Sequence, residues 1–218
     1  MAQTDLKLKT ITALFDNIAD ARSAVAELVA NNFHREDINL VAHASAEEYG
    51  QYFDKSGSYI EPGPTDHAGA VHGAEAGAVL GGLAGFLLGF VLIPGVGGII
   101  VAGPIVGALV GAGAGALAGG LLGALTDQGV PDEHAAYYAE GVRRGGSLLI
   151  VKAEEVATTL ASDILKRHNP IDLQQRIPTW REAGWSTFNP AAPPYTAEQI
   201  AEERAAAPKA HDGNIVIW

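Results

Sequence analysis

The sequence predicts an α+β fold, and three observations carry this prediction. Residues 7–44 and 147–176 each show a strand–helix–strand pattern, and a long Gly/Ala-rich stretch separates them. The chain has 218 residues, of which 48% are hydrophobic and 18% are charged, so it is large enough to bury a substantial core. Two strand–helix–strand units pair naturally into a four-stranded antiparallel sheet with both helices on one face. We therefore expect a split βαβ (ferredoxin-like) domain interrupted by a long Gly/Ala-rich helical hairpin.

The first unit is defined by local signals. The stretch LKTITALF, which begins at Leu8, alternates and is rich in β-forming residues, so it predicts a strand. Asp16 or Asn17 can cap the helix predicted over IADARSAVAELVANN, whose apolar residues lie on one face. The stretch DINLVAHA then predicts the second strand.

The second unit follows a short amphipathic helix predicted over PDEHAAYYAEGVRRG, residues 131–145. Pro131 suits the start of that helix and the glycine pair at 145–146 suits its end. The stretches SLLIVKA, EEVATTLASDILKRHN and IDLQQR then predict a strand, a helix and a final strand.

Four segments follow from this reading. They are residues 1–66 (the first βαβ half and a polar loop), 67–128 (the helical hairpin), 129–176 (the short helix and the second βαβ half) and 177–218 (a tail rich in Pro, Ala and aromatic residues). Within the tail, TAEQIAEERAAA predicts a short helix with Thr196 and Gln199 approximating a capping box, and the remainder is expected to be extended.

Glycines recur at every fourth residue in the central segment. They form two ladders: Gly69, Gly73, Gly77, Gly81, Gly85 and Gly89, then Gly103, Gly107, Gly111, Gly115, Gly119 and Gly123. In a helix interior each glycine costs about 1 kcal/mol relative to alanine, so the whole set costs roughly 10 kcal/mol. Close backbone packing against a neighbouring helix can offset this cost. The ladders therefore predict helix-packing surfaces and a homo-oligomer, the two arms being joined by the Pro/Gly stretch IPGVGGIIVAGP.

The sequence leaves open whether the hairpin lies in a lipid bilayer. Residues 76–126 carry no charged side chain, and the first ladder spans about 31 Å as a helix, close to the roughly 30 Å core of a bilayer. The flanks carry acidic residues and no Lys or Arg, so the positive-inside signature is absent. The alternatives are an inner-membrane protein facing the cytoplasm and a large soluble assembly in the cytoplasm. The opening residues show no apolar core behind a basic start, and no secretory signal is expected.

Composition argues against several function classes. The net charge of −11 argues against a nucleic-acid partner, and the lack of cysteine excludes disulfides, thiolate catalysis and cysteine-based zinc sites. The stretch GAGALAG has the spacing of a dinucleotide fingerprint but no preceding strand. His67, His72 and Glu75 lie close together without a convincing metal-ligand pattern. We expect no catalytic residue, no cofactor and no metal.

Two further clusters each admit two interpretations. Tyr137, Tyr138, Arg143 and Arg144 form either a docking or anion-binding patch, or an ordinary helix surface on which the arginines pair with Glu140 or Asp132. In the tail, aromatic residues are expected to anchor a contact, either between subunits or within the chain: Trp180, Trp185, Phe188, Tyr195 and Trp218. The terminal NIVIW is expected to add an edge strand to another sheet.

The chain resembles a known family. ALFDNIADARSAVAELVANNFHREDINLVA, the glycine ladders and GVPDEHAAYYAEGVRRGGSLLIVKA, in that order, resemble the bacterial general stress protein 17M-like domain family with a glycine-zipper insert. The resemblance covers residues 8–176, and WREAGW in the tail is similar to the tails of some members. It implies a bacterial, stress-linked protein without enzymatic activity. The alternative is a ligand-sensing ferredoxin-like module that the hairpin anchors.

Overall fold

A computed structural model of the chain describes residues 8–43, 91–93, 99–103, 117–207, 213 and 215–218. Its strands are Leu8–Phe15 (β1), Ile38–His43 (β2), Val91–Ile93 (β3), Ile99–Ala102 (β4), Ser147–Glu154 (β5) and Val216–Ile217 (β6). Its α-helices are Ile18–Ala30 (α1), Leu117–Thr126 (α2), Asp132–Arg143 (α3), Thr158–Lys166 (α4), Leu173–Glu182 (α5) and Ala197–Ala206 (α6).

All described strands belong to one antiparallel sheet in the order β3-β4-β2-β5-β1-β6. The centre of the sheet is β5, which pairs with β1 along its whole length, from Leu8 opposite Glu154 to Phe15 opposite Ser147. The opposite edge of β5 pairs with β2. The predicted α+β class with an antiparallel sheet is confirmed.

Helices α1 and α4 cover one face of the sheet. Alternate residues of β1, Ile11, Ala13 and Phe15, point to this face, as the two-residue period of a strand requires. From α1, buried residues at helical spacing meet them, including Val25 and Leu28. The side chain of Asn17 accepts the N–H of Asp20, so Asn17 is the N-cap. The predicted first strand, capped helix and second strand are thus confirmed.

The other face of the sheet is covered by α2, α3 and the C-terminal residues. From the sheet, Leu14, Val41 and Leu148 are buried there. They share this second core with residues of the covering helices, among them Leu125 and Trp180. The α+β domain therefore has a core on each side of its sheet, and the chain beyond residue 170 builds part of the second one.

The predicted final strand IDLQQR is wrong, because this stretch enters helix α5. Asp172 caps the helix by accepting the N–H of Gln174 at 2.9 Å. Leu173, Arg176 and Trp180 lie three and four residues apart and are buried on one face of α5. At the start of the stretch, the N–H of Ile171 donates to the carbonyl of Leu14 in β1 at 2.7 Å. Tertiary packing of the buried face thus outweighs the strand-like alternation.

The predicted joint between the two helical arms is also corrected. Instead of a simple turn it contains β3 and β4, which extend the sheet beyond β2. Gly103 follows β4 with a φ of +93°, so it is not part of a helix. A side chain at Gly103 would overlap the carbonyl oxygen of Ile38, so this glycine permits a close approach to β2. Of the predicted hairpin, residues 67–90, 94–98 and 104–116 lie outside the described residues.

The tail is more structured than expected. Helix α6 carries the predicted capping box, with Thr196 and Gln199 satisfying each other's backbone N–H groups. The last residues form β6, which pairs with β1 of the same chain and places Val216 opposite Thr12. Instead of adding a strand to another sheet, the C-terminus extends its own.

Candidate functional site

A group of buried and partly buried charged side chains lies where the C-terminal helices meet α3. We call it the charged cluster, and its members are Asp16, Glu140, Arg143, Arg144, Arg176, Glu203 and Arg204. They come from the end of β1, the last turn of α3, α5 and α6. Buried charges are costly unless they are paired and hydrogen-bonded, so the partners of each member indicate what the cluster can do.

Glu140 is the centre of the cluster and is only 1% exposed. Its Oε1 accepts hydrogen bonds from Arg143 Nη2 and Arg144 Nε, both at 2.6 Å, and its Oε2 accepts from Arg143 Nε at 2.8 Å. The predicted pairing of these arginines with Glu140 is confirmed, although the pairs are buried and not on the helix surface. Burial is the largest single influence and lowers the pKa of Arg143, but Glu140 and Tyr195 together raise it, so the net pKa is raised.

Glu203 joins the tail to this centre. Its Oε2 accepts from Arg144 Nη1 at 3.0 Å, and its Oε1 accepts from Trp180 Nε1 at 2.6 Å. The guanidinium of Arg144 also lies 5.2 Å from the ring centroids of both Trp180 and Tyr195, within cation–π range. Arg144, at the C-cap of α3, therefore contacts α5, α6 and the loop between them.

A second ion pair ties α5 to the end of β1. Arg176 donates from Nη1 and Nη2 to the two carboxylate oxygens of Asp16 at 3.0 and 2.9 Å. Arg176 is 4% exposed and Asp16 is 32% exposed, so this fork-to-fork pair is partly shielded from water.

Arg204 differs from the other arginines of the cluster. Among the described residues no carboxylate lies within ion-pair distance of it, and its Nη2 donates only to the carbonyl of Gly145, at 3.3 Å. Its Nε is buried without a hydrogen-bond partner in the described part of the chain. Among the described residues, the four arginines and three carboxylates of the cluster leave one positive charge without a partner.

His43, the last residue of β2, is influenced by this charge. It is 5% exposed, and neither ring nitrogen has a hydrogen-bond partner among the described residues. Burial, and secondarily the charge of Arg204, lower the pKa of His43 from 6.5 to about 4. The ring is therefore neutral at physiological pH.

The aromatic residues predicted to dock the tail all lie against their own chain. Trp180 is buried in the second core, and Trp185, Phe188 and Trp218 pack against that core. Tyr195 lies under Arg143, whose guanidinium is 4.7 Å from the centroid of its ring. Trp218 Nε1 donates to Thr12 Oγ1 at 3.1 Å, and its ring lies edge-on to His134.

Two of the ladder glycines lie on a described helix. Gly119 and Gly123 are exposed on α2, and a side chain at either position would meet no described atom within 4 Å. The other helix-packing predictions, apart from Gly103, lie outside the described residues: Gly69, Gly73, Gly77, Gly81, Gly85, Gly89, Gly107, Gly111 and Gly115. None of the helices in the described ranges has both the length and the apolar character needed to cross a bilayer.

The charged cluster joins the C-terminal helices to α3 and β1. The oxygens of its carboxylates are occupied by guanidinium or indole donors. Within the described ranges, no group of three or more His, Asp or Glu side chains is placed to hold a metal ion. His67, His72 and Glu75 lie outside those ranges. Neither a protein family, nor a curated protein, nor a solved structure matches this chain.

Proposed function

We propose that this chain is a non-enzymatic protein that self-assembles through glycine-lined helices, with the α+β domain as a rigid base. The observation that carries the proposal is the pair Gly119 and Gly123 on an exposed face of α2, at the end of the period-4 ladder. Glycine weakens a helix, so its regular use on an open face calls for a compensating contact. Close approach of a second glycine-lined helix supplies that contact.

The two sides of α2 support this division of roles. Leu121, Ala124 and Leu125 are buried in the second core, which fastens α2 to the domain. Gly119 and Gly123 lie on the remaining, exposed side. The helix thus has one side committed to its own domain and another available to a second copy.

The base is proposed to be a split βαβ (ferredoxin-like) domain. In the split fold, the first strand lies between the third and the fourth. Here β5 takes the place of the third strand, and β1 lies beside it with its other edge open to a fourth strand. Helices α1 and α4 lie on one face of the sheet. In place of the expected fourth strand, Ile171 and the C-terminal β6 occupy the outer edge of β1. This arrangement differs from the simple split fold in the part of the chain that fills that edge, and in β3 and β4, which extend the sheet beyond β2.

The location and biological role are part of the same proposal. Membrane association rests on the charge-free stretch between residues 76 and 126, and the alternative is a soluble assembly of the same helices. The bacterial stress role rests on the resemblance to the general stress protein 17M-like domain family. Flotation with native lipids distinguishes the two locations: a protein that floats and resists high salt and carbonate is inserted, and a large particle that stays at the bottom is soluble.

Self-assembly is tested by filling the open face. Gly119→Leu with Gly123→Leu adds two bulky side chains where they meet no described atom of the chain, so the domain is expected to stay folded. The matched control is Ala201→Leu with Ala205→Leu, a pair of exposed residues at the same spacing on α6. Light scattering after size-exclusion chromatography is expected to show a smaller particle for the glycine variant alone. An unchanged particle mass in that variant would contradict the proposal.

A second candidate function, ligand sensing, is favoured by one observation. An open groove of about 260 Å³ lies at the end of the sheet away from the charged cluster. Phe33, Ala157 and Leu160 give it an apolar wall, and Lys152 and His34 are polar groups beside it. Its volume lies just below the range of roughly 300–1,000 Å³ that is typical of small-molecule sites. A specific thermal shift with a metabolite panel, retained when the glycine face is blocked, would favour this function over assembly.

A further inference from the structure

A small, partly open cavity lies within the charged cluster. Its volume is about 10 Å³, which is room for one water-sized occupant. Three guanidinium groups contribute to its lining, from Arg144, Arg176 and Arg204. Two carboxylates, Asp16 and Glu203, contribute as well. The lining therefore carries one more positive charge than negative.

The two carboxylates in the wall already have their own donors. Both oxygens of Asp16 accept from Arg176, and the oxygens of Glu203 accept from Arg144 and Trp180. They neutralise those arginines and leave none of their negative charge for Arg204. The surplus charge of the lining therefore belongs to Arg204.

Arg204 also has a free donor. Its Nε is buried and has no partner among the described residues, and an unpaired buried donor carries a desolvation cost of about 1–3 kcal/mol. A charged group raises that cost further. An anion beside Arg204 would satisfy the donor and cancel the surplus charge in one step.

The size of the cavity selects the class of anion. A space for a single water-sized particle holds a monatomic ion, whereas phosphate or sulfate needs room for four oxygens. We propose that this cavity is a site for a monovalent halide ion, held by the Arg204 guanidinium and fastening α6 to the α+β domain. In a cell the abundant halide is chloride.

His43 offers a spectroscopic probe of the charge on Arg204. The ring is buried near Arg204, and the positive charge of that arginine helps to keep it neutral. A bound halide would screen this charge. Its binding is therefore expected to shift the His43 ring signals in an NMR spectrum.

Binding is tested on the full chain with chloride, bromide and gluconate salts at matched ionic strength. The expected result is a melting temperature about 3 °C or more higher in chloride or bromide than in gluconate, since gluconate is too large for the cavity. Line broadening of the chloride-35 NMR signal, reversed by bromide, is the direct measurement of binding. Equal melting in all three salts with no broadening overturns the proposal, because the cavity then holds water only.

The variant Arg204→Gln tests where the halide binds. The matched control is Arg35→Gln, since Arg35 is exposed and precedes β2, whereas His43 is the last residue of that strand. Broadening and the halide-specific shift are expected to persist in the control and to disappear in the Arg204 variant. Their persistence in Arg204→Gln overturns the assignment. If Arg204→Gln does not fold, Arg204→Lys keeps the charge but loses the Nε donor, and chloride affinity is expected to fall about tenfold. Unchanged affinity in Arg204→Lys would equally overturn it.

Discussion

Acid is expected to destabilise this protein through His43. The ring is buried and unpartnered among the described residues, and its pKa is lowered from 6.5 to about 4, first by burial and then by the charge of Arg204. The unfolded chain therefore binds a proton that the folded chain does not bind between these two pH values. The contribution of His43 to stability is complete above pH 6.5 and is lost progressively as the pH falls toward 4.

The magnitude follows from the two pKa values. The difference between 6.5 and about 4 corresponds to a loss of about 3 kcal/mol of unfolding free energy, and this loss reaches its full size below pH 4. A typical domain is stable by about 5–15 kcal/mol, so the loss is a large fraction of the total.

Urea unfolding of wild-type protein and His43→Leu across this pH range measures the effect. Because neither ring nitrogen has a described partner, leucine removes the titrating group without breaking a described side-chain hydrogen bond. The unfolding free energy of the variant is expected to fall by about 3 kcal/mol less than that of the wild type between pH 7 and pH 4. His34→Leu is the control, since the ring of His34 is exposed before and after unfolding. If His43→Leu loses as much stability as wild type over this range, the reasoning is wrong.

Two further predictions concern the attachment of the tail. Gly145→Ala is expected to cost about 2–4 kcal/mol, since Gly145 has a φ of +101° and an added Cβ would lie 2.5 Å from the Ile200 side chain. Gly184→Ala is its control, with a φ of +91° but open space around it, and about 1 kcal/mol is expected in the same denaturant titration. A double-mutant cycle with Arg176→Gln and Asp16→Asn is expected to show a coupling of about 1–2 kcal/mol, and additive effects would mean that their forked pair contributes nothing.

The elements that could be predicted from the sequence are those whose signals are local. The strand at Leu8–Phe15 alternates, and α1 begins at a residue whose side chain caps it, Asn17. The capping box of α6 likewise involves residues only three positions apart, Thr196 and Gln199. In each case, the interaction that defines the boundary spans only a few positions.

The incorrect predictions fall where contacts with distant parts of the chain determine the secondary structure. Residues 171–176 alternate like a strand, but the second core needs a helix there to bury Trp180. The apolar runs at β3 and β4 flank a glycine-rich stretch, which predicts a turn, whereas β2 offers a sheet edge to β4, and β3 then pairs with β4. Their β-branched residues, Val91 and Ile99 for example, were the available signal for strands.

In the candidate site, too, the contacts between neighbouring residues could be predicted and those between distant residues could not. Glu140 lies three and four residues before Arg143 and Arg144, so their pairing follows from helix spacing. The pair between Asp16 and Arg176 is 160 residues apart in the sequence. Nothing in the residues around either one indicates the other, and the same holds for the buried position of His43.

The junction between α2 and α3 determines how an assembly of this protein would be arranged. After Thr126 the chain turns through Gly129, whose φ is +89°, and Val130 N–H closes the turn by donating to the carbonyl of Leu125 at 3.1 Å. The carbonyl of Gln128 also accepts from Thr10 Oγ1 of β1 at 2.6 Å. The turn is thus bonded both to α2 and to the sheet, so α2 cannot rotate without disturbing the domain. If the glycine face of α2 packs against another copy, the domains of the two copies are expected to have a fixed relative orientation, because no flexible linker separates α2 from the domain.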